Sequence, residues 1–105
     1  MFSPDKIQQV WEKGQVVKGF DPSKWRNDFA GAWIKRDLYG SCQGYGWAVD
    51  HQRPRRNGGT DDIDNLAPLH WRNNLAKAGD SPTFVTVVSS EGNKNVEKRR
   101  QWLLP

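Results

Sequence analysis

Apolar residues recur at helical spacing near the start of the chain. Ile7, Val10 and Trp11 fall at i, i+3 and i+4. Ser3 stands before them as a cap, with Pro4 at the first helical position and Asp5 in the first turn, so residues 3–13 are expected to form a helix that Gly14 ends. Asp21-Pro22 repeats the cap-and-proline signature and predicts a short helix around residues 23–29, with Trp25 and Phe29 on one face. From residue 32 the period changes. Residues 32–38, with Trp33 and Ile34, read as a first strand, and the glycines at 40, 44 and 46 mark a turn region. Trp47-Ala48-Val49-Asp50-His51 alternates, placing Trp47, Val49 and His51 on one face of a strand and Ala48 and Asp50 on the other. A loop rich in Arg, Gly and Asp covers residues 52–64. Residues 65–69 are short and apolar, and Pro68 suits them to an edge strand. Residues 71–78 hold no breaker, so they predict a helix of about two turns with Gly79 at C′. Residues 83–88 are β-branched. Residues 91–103 carry Lys94, Lys98, Arg99 and Arg100, compatible with a basic helix or with a partly disordered tail.

This mixture of elements indicates an α+β chain, and 105 residues suffice for one small domain. Leu, Ile, Val and Phe make up 21 of the 105 residues, at the edge of what folds by burial alone. Six Trp shift the balance, because each aromatic buries roughly 150–250 Å². A thin core supported by a bound ion or a partner is expected. One cysteine, Cys42, excludes an internal disulfide framework and a four-thiolate zinc site. No apolar run approaches the ~20 residues that span a bilayer. The first ten residues lack the apolar stretch of a secretory leader, so a cytoplasmic protein with no membrane partner is expected. Sixteen Lys and Arg against twelve Asp and Glu give a net charge of +4, compatible with a polyanionic partner.

The chemistry-bearing residues concentrate between Trp47 and Asp80. Asp50-His51 closes a strand, Gly58-Gly59-Thr60-Asp61-Asp62 occupies a loop, Asn65-Leu66 opens the next strand, and Asn74 and Lys77 lie on the following helix. A strand, a long loop, a second strand and a helix would bring the two ends of this stretch together. Asp50 and His51 then point to opposite faces, so one can hold an ion while the other addresses a different reactant.

These elements, in this order and spacing, resemble the HNH nucleases across residues 32–80. The resemblance implies a two-stranded antiparallel hairpin and a helix around one metal, the ββα-metal fold; outside it the chain reads as an N-terminal helical segment (1–31) and a strand plus basic tail (81–105). It implies hydrolysis of phosphodiester bonds in double-stranded DNA, with 5′-phosphate and 3′-hydroxyl ends and nicking as one outcome. His51 would be the general base that activates water. Asp50 and the amide oxygen of Asn74 would hold one divalent cation, and as hard oxygen ligands they favour Mg²⁺ or Mn²⁺. Asn65 would hydrogen-bond backbone across the loop and orient His51. Asn74 stands where many members have a third His, a His-Asn-Asn variant that other members share. The Cys pairs that hold zinc in many relatives are missing, so no structural zinc is expected and Trp33, Trp47 and Trp71 are expected to stabilise the fold.

Several residues carry more than one reading. Asn73 competes with its neighbour Asn74, and the three-residue gap to Lys77 selects Asn74. His70 reads as a helix cap or packing residue, with a place beside the metal, alongside Lys77, as the alternative. Arg53, Arg55 and Arg56 form either a solvated loop or a contact to the nucleic-acid backbone. Asp61, Asp62 and Asp64 lack the bidentate Glu of a calcium loop and read as turn and solvent residues. Trp11, Trp25 and Trp33 are core candidates. A homodimer would explain cutting of both strands. The competing functional readings are a non-catalytic nucleic-acid-binding module on the same scaffold and a metal-stabilised protein-interaction domain.

Overall fold

The structure, a computed structural model, describes residues 2–77 and 82–104. Helix α1 spans Pro4–Trp11, with the Ser3 side chain accepting from the Lys6 N–H and Pro4 in the first turn. Strands follow as β1 (Trp25–Asn27), β2 (Trp33–Lys35), β3 (Trp47–His51) and β4 (Leu66–His70). Helix α2 (Trp71–Ala76) then leads to β5 (Thr83–Glu91) and β6 (Lys94–Leu103). The strands form three separate antiparallel pairs, β1–β2, β3–β4 and β5–β6, so the architecture is α+β.

Two expectations are corrected. The helix expected around residues 23–29 is absent. The Asp21 cap does form one turn, its carboxylate accepting from the Ser23 N–H and its carbonyl from the Lys24 and Trp25 N–H groups. Trp25–Asn27 then pairs with Trp33–Lys35, which sets the Trp25 ring edge-on to Trp33 and Tyr45. Tertiary pairing outweighs a helix signal of under two turns. The basic segment at the C-terminus is neither helix nor tail but strand β6, paired with β5 from Glu91↔Lys94 to Thr83↔Leu103 through a two-residue Gly92-Asn93 turn. Gly92 takes a positive φ there, as such turns require. Ala78 and the expected Gly79 C′ position lie outside the described residues.

The core is built where α1 meets the β3–β4 hairpin. Val10, Trp11, Ile34, Trp47 and Leu66 are fully buried together, and the rings of Trp11 and Trp47 lie 5.3 Å apart. Each indole N–H finds a carbonyl, Trp11 on Pro22 and Trp47 on Arg36, which offsets the cost of burying it. Trp33 is also buried, whereas Trp25 and Trp71 are half-buried.

On the other side of α2, a polar knot ties the helix to β5 and to the N-terminal segment. The buried Asp28 carboxylate accepts from four N–H groups: the backbone of Ala30, Ala32 and His70, and the Asn73 side chain. Asn73 in turn donates to the Val88 carbonyl and accepts from the Val87 and Val88 N–H groups. Burial pushes the Asp28 carboxyl upward, while its N–H donors pull the other way. Among the described residues, no helix is long and apolar enough to cross a membrane.

Candidate active site

The register of the hairpin decides what α2 can reach. His70 pairs with Trp47, so α2 starts beside the beginning of β3 rather than its end. The seven steps from His70 to Lys77 rise about 10 Å and three strand residues span about 10 Å, which carries Lys77 back alongside Asp50. The Lys77 ammonium meets the Asp50 carboxylate at 2.7 Å and donates to the carbonyls of His51 and Gln52 at 3.1 and 3.2 Å. Both side chains are nearly closed off from water, at 4% and 9% exposure. Burial raises the Asp50 carboxyl above its ordinary range, and Lys77 opposes that shift.

Asn74, one turn before Lys77, lines an open cleft of about 350 Å³ together with Asp50, His51, Arg55, Arg56 and Lys77. Its amide makes no hydrogen bond among the described residues. Its neighbour Asn73 is fully buried in the Asp28 knot. Arg53 is exposed and stands outside the cleft lining.

His70 caps α2: its Nδ1 accepts from the Arg72 N–H at 3.1 Å. Nε2 then carries the ring proton and donates it to the Gly44 carbonyl at 2.9 Å. With both nitrogens engaged and the ring buried, its pKa falls to about 4, chiefly through desolvation. That geometry gives it no free nitrogen for a metal.

The loop from 52 to 65 is folded tightly. Asn65 spans it, its oxygen accepting from the Arg53 N–H while its nitrogen donates to the carbonyls of Arg53 and Thr60. The two glycines have separate reasons. Gly58 ends a short 3₁₀ turn at φ +89°, and Gly59 packs so closely that a Cβ would lie 1.8 Å from the Arg53 oxygen. The loop delivers Asp61 to His51, with Nε2 and Oδ1 at 2.7 Å, and the Phe2 ring lies 5.9 Å from the imidazole. Arg55 approaches the other Asp61 oxygen at 3.3 Å, and the bond from His51 is the main cause holding the Asp61 carboxyl below its usual range. Asp61 was expected to face solvent. Which loop acid reaches His51 depends on the turn around Gly58 and Gly59, and three acids within four residues give no local signal of it.

Residues 35–79 match the protein-family model described as HNH endonuclease. This segment is an HNH domain. No curated protein and no solved structure matches the chain. Asp50, His51, Asp61, Asn65, Asn74 and Lys77 all lie inside the HNH segment, whereas α1, Asp28 and the β5–β6 hairpin lie outside it. Among the described residues, no three His, Cys, Asp or Glu side chains gather into a metal cluster. Among the described residues, the carboxylate and amide side chains that line the cleft are those of Asp50 and Asn74. That set suits a hard cation which keeps much of its water, as Mg²⁺ and Mn²⁺ do, and suits a soft ion poorly.

Proposed function

We propose that the protein is a metal-dependent DNA endonuclease, with β3, β4 and α2 as its ββα-metal core. The observation that carries this reading is the shared cleft: a carboxylate, an imidazole and an amide line one opening together with two arginines. His51 accepts the proton of the attacking water as the water oxygen bonds to phosphorus and the P–O3′ bond breaks, the departing O3′ taking a proton from solvent water. Asp50 and Asn74 would hold one Mg²⁺ or Mn²⁺, which neutralises charge on the phosphate when bound. Arg55 and Arg56 receive the DNA backbone. Asn65 keeps the loop folded beside His51. Lys77 pairs with Asp50 and so would weaken the hold of that carboxylate on a divalent ion.

Supercoiled plasmid incubated with Mg²⁺ or Mn²⁺ is expected to relax to open circles, and EDTA to stop it. His51→Ala is expected to reduce the rate by about 10²–10⁴, the worth of a positioned general base. Cleavage by His51→Ala at the full rate would remove His51 from the chemistry. Salt-dependent binding without cleavage under any divalent ion would favour the non-catalytic binding module instead.

A further inference from the structure

His51 makes its shortest side-chain contact with Asp61, at 2.7 Å. A carboxylate only accepts, so Nε2 carries the ring proton and Nδ1 keeps the lone pair. Asp61 is itself held from several sides. Its backbone carbonyl accepts from Lys6 of α1 at 2.9 Å, and Asn65 pins the preceding carbonyl of Thr60. The Arg55 guanidinium lies 3.3 Å from Oδ2 and 3.5 Å from Oδ1. A carboxylate placed this way selects one tautomer of the imidazole and stabilises the imidazolium that forms when the ring takes a proton.

We propose that Asp61 is the positioning residue of this site, fixing His51 as the Nε2–H tautomer so that Nδ1 is the atom that accepts the proton from water. This rests on the nuclease reading of the same cleft. The side chain of Asp61 is half exposed, and exposed ion pairs contribute little to stability, so its removal is expected to leave the fold intact.

The decisive variant is Asp61→Asn. Arg55 prefers the amide oxygen, which turns the NH₂ group toward Nε2. A ring that accepts at Nε2 must carry its proton on Nδ1, where the lone pair is needed. A residue that only filled space or bridged the loop would tolerate this near-isosteric change better than Asp61→Ala. The tautomer role reverses that order: Asp61→Asn is expected to lose about 100-fold in kcat, with KM for plasmid unchanged, and Asp61→Ala less. Asp61→Glu restores part of the rate.

Two-bond ¹⁵N–¹H spectra read the tautomer directly and need no cleavage. The chain has two histidines, and His70 sits in its own capped environment, so the two rings separate. Wild type is expected to show Nε2–H at His51 and Asp61→Asn to show Nδ1–H. An Asp61→Asn protein that cuts at the wild-type rate, or whose His51 remains Nε2–H, overturns the proposal. Should the wild type cut nothing, the nuclease reading fails while the spectra still decide what Asp61 does to the ring.

Discussion

Acid is expected to destabilise this protein in part through His70. The ring is 3% exposed, and its Nδ1 lone pair caps α2. In the folded protein it protonates at about 4, against 6.5 when free. Between those values the unfolded chain takes up a proton that the folded chain refuses. The stability that comes from keeping this ring neutral is therefore complete above pH 6.5 and drains away as the pH falls toward 4. The gap corresponds to roughly 3 kcal/mol in full, and to about 2 kcal/mol at pH 5. Against a typical total of about 5–15 kcal/mol, that is a large share. The assay is urea unfolding at pH 7.5, 6 and 5 for wild type and His70→Asn, since asparagine also caps helices but does not titrate. Asp28 and Asp50 are present in both proteins, so their contributions cancel in the comparison. Wild type is expected to lose about 2 kcal/mol more than the variant between pH 7.5 and 5. Parallel curves, or an NMR midpoint for His70 near the free value, would refute the reasoning.

Lys77→Met removes one member of a buried ion pair and strands Asp50, so a loss of about 3–5 kcal/mol is expected in chemical denaturation; a loss below about 1 kcal/mol would show that the pair is dispensable. Asn73→Ala removes one of the four donors to Asp28 and all three side-chain bonds to the β5 backbone, and is expected to destabilise by about 2–4 kcal/mol. Asn74→Ala, one residue on, is expected to change stability by less than about 0.5 kcal/mol while suppressing metal-dependent nicking, and equal melting of the two variants would erase the distinction. Arg55→Ala and Arg56→Ala are each expected to lower the salt slope of DNA binding by about one; an unchanged slope would remove them from the phosphate contact.

Local chemistry carried the reading of some elements and not of others. Helix α1 was legible because its cap, its proline and its apolar stripe all lie within eleven residues. The alternation of residues 47–51 likewise announced β3. The segment 23–29 misled because its cap signature is real, yet the decision belongs to residues 33–35, which pair with it. In β6 the basic side chains mask the strand pattern, and the local signal of the hairpin is the two-residue Gly92-Asn93 turn between two strands. Asp50, His51 and Asn74 share one cleft, as a strand–loop–strand–helix order allows, because the hairpin register and the helix rise agree. The long-range half of the Asp28 knot was not legible: Ala30 and Ala32 are close in sequence, but His70 and Asn73 lie 42 and 45 positions away.

The ties that cross the borders of the matched segment bear on modularity. Lys6 of the first helix and Lys13 just beyond it reach the carbonyls of Asp61, Ile63 and Leu66, and Val10 and Trp11 are two of the five buried residues of the main apolar cluster. Excising residues 35–79 would therefore remove the braces of the very loop that presents Asp61. Grafting that segment onto another protein would transplant a recognisable signature without the scaffold that shapes it, and the transplant is expected to behave as an unfolded peptide.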